Sequence, residues 1–322
     1  MSLLIVKNNK LLFSTMAYKS LAESMLPLGN FEPGTLNRKD FPDGEHYTRI
    51  ETPIAGRDVV LLAGTITDRD TLELYDLACG LVDGGAHRLW IVIPYYGYST
   101  MERAVKEGEI VTAKTRARLL SSIPVPGSGI QTVMFDLHVD AIAQYFEGNA
   151  RTVHLHGRAL LLSMIRSVAT SADFVLASTD AGRAKQVQSL ANDLGVFPSF
   201  VFKRRLDSGA TEVSAVSAQV KDKQVIIYDD MIRTGGSLVG AVMAYKEAGA
   251  ATISVVTTHG VFAGDAIAKL RGCGLIDKIA VTDSHPNACV AAAANPDFIF
   301  VSSTASLFAE FLESPRNRLN KA

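Results

Sequence analysis

The sequence is poor in cysteine, carries no excess of either charge, and has no apolar run long enough to cross a membrane. Its three cysteines, Cys79, Cys273 and Cys289, lie far apart and form no C-x-x-C pair. That spacing excludes a zinc ribbon or a thiol redox motif and fits a reducing cytoplasm. With 32 basic against 33 acidic residues the net charge is −1. Such a balance speaks against a general nucleic-acid or membrane-surface binder, so an anionic ligand must be held by a local site. The apolar segment Leu3 to Val6 is followed by Lys7 and Lys10. It is too short for a signal-peptide core or a membrane span, and reads as a first strand.

What is present is an ordinary globular composition, 48% hydrophobic and 20% charged over 322 residues, enough chain for two domains of roughly 100 to 200 residues each. Short apolar runs alternate with amphipathic stretches: a strand at Val59 to Leu62, a helix from Leu72 to Leu81, a strand from Leu89 to Ile93. The rhythm predicts parallel sheets with crossover helices. The same plan returns with a strand at Val225 to Tyr228, a helix from Leu238 to Glu247 and a strand from Ile253 to Thr257. The turn Ala248-Gly249-Ala250 matches Gly84-Gly85-Ala86. Two similar halves suggest an internal duplication, set against chance likeness between ordinary crossover units. The expected boundary lies near residue 153, giving domains 1–152 and 153–322. Further loop-like segments are Pro124 to Gly129, Gly148 to Gly157, and Leu206 to Thr211 after the basic triplet Lys203-Arg204-Arg205.

The strongest chemical signal follows the strand Val225 to Tyr228: Asp229-Asp230-Met231-Ile232-Arg233-Thr234-Gly235-Gly236-Ser237, and then a helix. A phosphate is held by converging backbone N–H groups at a helix N-terminus, where Gly235 and Gly236 allow close approach and Thr234 and Ser237 add hydroxyls. Carboxylates at the end of a parallel strand are placed to accept hydrogen bonds from vicinal sugar hydroxyls. Together these parts suit a sugar phosphate. The plainer alternative is a strand-to-helix connection with Ser237 as N-cap, but that gives no reason for two adjacent carboxylates.

This loop resembles the phosphoribosyl-diphosphate loop of phosphoribosyltransferases and of ribose-phosphate diphosphokinases, and does not by itself choose between them. Four further segments, in order, resemble the second family. Phe41-Pro42-Asp43-Gly44-Glu45 is similar to its adenine-contacting segment, Phe135-Asp136-Leu137-His138 to its metal-histidine strand, Thr179-Asp180-Ala181-Gly182 to its metal-aspartate turn, and Lys203-Arg204-Arg205 to the base of its catalytic loop. The resemblance implies an α/β fold of two related domains of phosphoribosyltransferase-like type, each a mostly parallel sheet flanked by helices. It implies a magnesium-dependent transfer of the diphosphoryl group of ATP to the 1-hydroxyl of ribose 5-phosphate. It assigns magnesium to His138 and Asp180, catalysis to Lys203 and Arg205, nucleotide contacts to Phe41, Asp43, Glu45 and Arg103, and the sugar phosphate to Asp229, Asp230, Arg233 and the 234–237 loop. A homo-oligomer, at least a dimer, is implied, because in the family a neighbouring subunit completes the ATP site. Residue by residue there are plainer alternatives: His138 as a buried hydrogen-bonded histidine, Asp180 as a turn residue, and the basic triplet as a solvated charge run.

The chain departs from the commonest members of that family. After Ile91 to Tyr96, where they carry an Arg-Gln pair, it has Gly97 to Arg103, with Arg103 the one remaining cation. Arg233 replaces a third loop aspartate, and Arg183 replaces a second glycine after Asp180. Glu102-Arg103 and Glu107 to Ala113 resemble the plant-type class II enzymes instead. That likeness implies a less selective nucleotide pocket and weak or absent control by phosphate and ADP. A phosphoribosyltransferase and a non-catalytic regulatory homologue are the two alternatives to the enzyme.

Overall fold

Two parallel sheets of six strands, built to the same plan, organise the described residues. The computed structural model describes residues 9–205, 211–216 and 220–314, and of 202–216 the backbone alone. Leu3 to Val6 and Leu206 to Ala210 lie outside the described residues; the first described strand is β1 (Lys10–Ser14).

In the first unit β1 is followed by β2 (Phe31–Pro33), the pair β3 (Leu36–Asp40) and β4 (His46–Ile50), then β5 (Asp58–Leu62), β6 (Arg88–Ile93), β7 (Ile130–Phe135) and β8 (Arg151–Leu155). The sheet order is β2-β1-β5-β6-β7-β8, all neighbours parallel, while β3 and β4 form a separate antiparallel pair. In the second unit β9 (Phe174–Ser178), β10 (Phe197–Ser199), β11 (Val201–Arg205), β12 (Thr211–Val216), β13 (Gln224–Ile232), β14 (Thr252–Gly260), β15 (Lys278–Thr282) and β16 (Ile299–Ser302) repeat this order as β10-β9-β13-β14-β15-β16. Again an antiparallel pair, β11 with β12, stands between the second and third strands of the sheet in sequence. Shared strand order and a shared insertion point support the duplication read from β5–β6 and β13–β14.

The central strands read as nearly unbroken apolar runs because both sheet faces are covered. In the first unit Leu11, Phe13, Val59 and Leu61 face the helix Asp68–Asp83. Their neighbours Leu12, Val60 and Leu62 point to the other face, as strand alternation requires, and meet Tyr18, Met25 and the helix Ala305–Glu313. The helix Asp68–Asp83 opens on a capping box between Thr67 and Asp70, which places its start four residues before Leu72.

The contacts divide the chain into 1–156 with 304–322, and 157–303. The expected division, 1–152 and 153–322, differs most at the C-terminus, where the chain returns to the first unit. The cause is the apolar face Ala305, Phe308, Ala309 and Leu312, buried against Leu12, Tyr18 and Met25, and fixed by Lys10 Nζ donating to Glu313 Oε1 at 2.7 Å. No helix among the described residues is long and apolar enough to cross a membrane.

Candidate active-site residues

In the second unit β13 runs four residues beyond the expected Tyr228, so Asp229 and Asp230 lie within the ladder to β14, where Asp229 is the register partner of Thr257. On the other side β9 pairs only as far as Tyr228 with Ser178. The carboxylates therefore emerge beyond the end of β9, beside the turn that follows it.

Thr234 and Arg233 are exposed, and Gly235 adopts φ +78°, the left-handed region that favours glycine. Gly235 is the N-cap of the helix Gly236–Glu247, and no side chain caps that helix. Ser237 lies inside the first turn, so the alternative of Ser237 as N-cap is not what forms. A Cβ on Gly236 would meet nothing within 4 Å. First-turn N–H groups without a side-chain acceptor, in open space, are what an anion needs.

The turn after β9 is tied to the aspartates by two side-chain contacts. Thr179 Oγ1 donates to Asp229 Oδ2 at 2.8 Å, and Arg183 Nη2 meets Asp230 Oδ2 at 2.5 Å. Asp180 Oδ1 accepts the Gly182 N–H at 2.8 Å, so the turn role is real; its second carboxylate oxygen takes no part in that cap. Asp229 Oδ1 accepts the Asp230 N–H at 3.0 Å. Burial, reinforced by the charge of Asp230, raises the Asp229 carboxyl well above the ordinary carboxylate range. Of the expected second-unit residues, Asp180, Asp229 and Asp230 are brought together at the end of one sheet with the 233–237 loop. The backbones of Lys203 and Arg205 belong to β11, while their side chains lie outside the described residues.

In the first unit Phe41 to Glu45 is the tip of the β3–β4 hairpin, closed by Phe41 N–H to Glu45 O at 2.9 Å and Glu45 N–H to Asp43 Oδ1 at 3.1 Å. Phe41 is exposed, with Lys39 Nζ 4.7 Å from its ring centroid. Arg103 points to solvent, paired loosely with its neighbour Glu102 at 3.4 Å. A different arginine stands by the departing segment: Arg116 lies 5.0 Å from the Tyr98 ring, and both donate to Asp68 Oδ1, at 2.5 and 2.6 Å. Sequence reasoning missed Arg116 because 18 residues and a helix start separate it from Tyr98; the one signal, the exposed-helix pattern 112–121, is shared by many surface arginines.

The segment Phe135 to His138 is a strand end rather than a strand. β7 stops at Phe135, and Asp136 takes φ +41°, a left-handed turn uncommon outside glycine. Asp136 is buried and His138 half-buried. Beside this turn stand His154 and His156 of β8 and its exit, both absent from the expected site; one ligand atom of each lies within 4.8 Å of the others and of an Asp136 oxygen.

Comparison with known proteins agrees with the two-part build. Residues 10–123 match the N-terminal domain of ribose phosphate pyrophosphokinase, and residues 177–303 match the phosphoribosyl synthetase-associated domain. A ribose-phosphate pyrophosphokinase of Corynebacterium efficiens is 33% identical over 283 residues, covering 86% of this chain and 85% of the relative. A chloroplastic ribose-phosphate pyrophosphokinase 2 of rice is 31% identical, covering 85% of this chain and 67% of the relative. The crystal structure of phosphoribosylpyrophosphate synthetase from Mycobacterium smegmatis aligns over 96% of this chain and 99% of its own, with a TM-score of 0.84 and 27% identity. With this degree of likeness spanning both units, the chain belongs to the ribose-phosphate pyrophosphokinase family.

Proposed function

We propose that the protein transfers the diphosphoryl group of ATP to the 1-hydroxyl of ribose 5-phosphate, giving 5-phosphoribosyl 1-diphosphate and AMP. The observation that carries the reading is the acidic pair Asp229–Asp230, tied to the Thr179–Arg183 turn and set before an uncapped helix N-terminus. A sugar phosphate matches both ends: carboxylate acceptors for vicinal hydroxyls and free N–H donors for the 5-phosphate. The ribose oxygen attacks the β-phosphorus, and the bond from that phosphorus to the bridging oxygen of AMP breaks. Asp229 and Asp230 hold the ribose, the 234–237 loop holds its phosphate, and Lys203 and Arg205 close on the transferring group.

Asp180 fits a hard divalent cation, being partly exposed with a carboxylate oxygen outside its cap, while the half-buried His138 offers a nitrogen better suited to orienting one of that cation's waters. His138 in the first unit and Asp180 in the second are each assigned to magnesium, held directly or through its waters, which when bound would supply positive charge against the phosphate oxygens. Phe41, Asp43 and Glu45 at the hairpin tip are assigned to the nucleotide, with a neighbouring subunit completing that site in a dimer or larger assembly in the cytoplasm. The test is mass spectrometry of purified protein with ATP, ribose 5-phosphate and magnesium, no nucleobase added. Formation of 5-phosphoribosyl 1-diphosphate with AMP is expected. Turnover that needs a nucleobase would make it a phosphoribosyltransferase, and ribose 5-phosphate binding without turnover a regulatory homologue.

A further inference from the structure

Asp136, His154 and His156 have the composition of a metal site, yet hydrogen bonding rules out His154 as a ligand. His154 Nε2 accepts the N–H of Leu137 at 2.8 Å, so its lone pair is spent on that bond. A neutral imidazole accepting at Nε2 carries its proton on Nδ1, and Nδ1 lies 3.0 Å from Asp140 Oδ1, to which it donates. Neither nitrogen has a lone pair to offer a cation. Burial first, and His156 second, lower the His154 pKa, in keeping with the neutral form. What remains is a clamp. We infer that His154, held as its Nδ1–H tautomer by Asp140, is a positioning residue that fixes the Asp136-Leu137-His138 turn through the Leu137 amide.

The turn needs holding for a stated reason. Asp136 sits at φ +41°, a conformation that costs a side-chain-bearing residue on the order of 1 kcal/mol and persists where its surroundings enforce it. Two bonds from β8 do so: Asp136 N–H to Leu155 O at 3.0 Å, and Leu137 N–H to His154 Nε2. The first is ordinary ladder bonding carried one residue past the strand. The second exists because β7–β8 register sets His154 opposite Met134, leaving its ring to reach forward along the sheet edge. The ring is further confined by His156, with centroids 3.9 Å apart. His138 is the next residue of the turn, so its direction follows from the Leu137 amide.

This inference rests on the reading of His138 as a magnesium-holding residue, so the experiment includes H138A. Four variants of the full chain, H154F, H154Q, D140A and H138A, are compared for turnover, half-saturating magnesium, ribose 5-phosphate affinity by calorimetry, and hydrogen exchange at the Leu137 amide. H154F should lower turnover and raise half-saturating magnesium by about tenfold or more, the usual effect of losing an outer-shell partner. It should leave ribose 5-phosphate affinity within about twofold and speed exchange at Leu137. Gln has an oxygen to accept from Leu137 and an amide to donate to Asp140, so H154Q should recover most of the loss. D140A, a surface change, should lower turnover severalfold with an unchanged melting temperature, and it decides the matter if H154F does not fold. Loss of turnover in H138A, with H154F (or D140A in its place) at the wild-type level, overturns the positioning role alone. Normal turnover in H138A removes the His138 reading and this inference with it.

Discussion

Arg183 and Asp230 are joined by a 2.5 Å ion pair, with side chains 18% and 6% exposed. The arginine that takes a glycine's place in the turn after Asp180 thus reaches the carboxylate assigned to the sugar. Removing Arg183 takes an opposite charge away from a buried carboxylate that lies beside a second one. Arg183→Ala should cost roughly 2–3 kcal/mol, below the full range for buried pairs because Arg183 is partly solvated. Urea denaturation in a double-mutant cycle with Asp230→Asn should show the double change costing less than the sum. Strict additivity would mean that the contact carries no stability.

Asp229 gives a pH signature of definite sign. Its folded-state pKa lies above the unfolded value of about 3.9, so the folded protein holds a proton that the unfolded chain has released. Its contribution to stability is full below that unfolded value and is lost as pH rises through the folded pKa. Asp229→Asn removes this loss. Its stability relative to wild type should therefore climb from pH 4 towards neutrality in thermal melts, while its calorimetric affinity for ribose 5-phosphate falls.

His285 predicts acid lability of the second unit. It is buried at the N-cap of the helix Pro286–Ala294, where Nδ1 accepts the Asn287 N–H at 3.2 Å. Burial, and then His259, push its pKa down to about 4 from 6.5. A depressed basic group leaves stability intact above 6.5 and removes it as pH falls towards 4, because the unfolded chain takes up the proton first. His285→Asn keeps a capping side chain without the titration, so its stability should fall less steeply across that window.

Lys203→Ala or Arg205→Ala should lower turnover by about 100-fold or more while ribose 5-phosphate still binds, since cations that close on transferring phosphate act mainly in the transition state. Steady-state kinetics beside direct calorimetry makes the comparison. Near-normal turnover in both would remove the β11 residues from catalysis.

Nucleotide choice tests the departures after β6. The segment Gly97 to Arg103 lacks the Arg-Gln pair, and Arg103 faces solvent. A pocket with fewer directed donors rejects the wrong base poorly, so GTP or CTP should support turnover within about tenfold of ATP, less than about 1.4 kcal/mol of discrimination. Activity should not require added phosphate. Competition assays at equal nucleotide concentration measure the first point, and phosphate titration the second.

Much of the architecture was legible where physics is local. The apolar runs at β5, β6, β13 and β14, and the glycine turns between helix and strand, carry their periodicity in adjacent residues. Asp229, Asp230 and the 234–237 loop were legible because one turn brings them together. Arg183 with Asp230 was not, since nearly fifty residues intervene and the contact exists only because β9 lies beside β13. His154 was illegible for a similar reason: a histidine in the mixed stretch Arg151-Thr152-Val153-His154-Leu155-His156 says nothing until strand register sets it opposite Met134, within reach of the Leu137 amide. The return of residues 304–314 to the first unit was equally hidden, because an amphipathic final helix does not state which sheet it covers.

That return has a bearing on how the protein is made. The last helix covers the face of Leu12, Val60 and Leu62, and Lys10 bonds Glu313 across 303 positions of sequence. On the ribosome, residues 157–303 are all synthesised before Phe308 and Leu312 exist. The first unit is therefore completed only at the end of synthesis, although domains generally fold N-terminal first. At roughly 5–20 residues per second, the apolar floor of the first sheet waits some ten seconds or more for its cover. Over that interval Tyr18, Met25 and Trp90 are the surface a chaperone would hold, and truncation before Ala305 would leave them without their cover in every molecule.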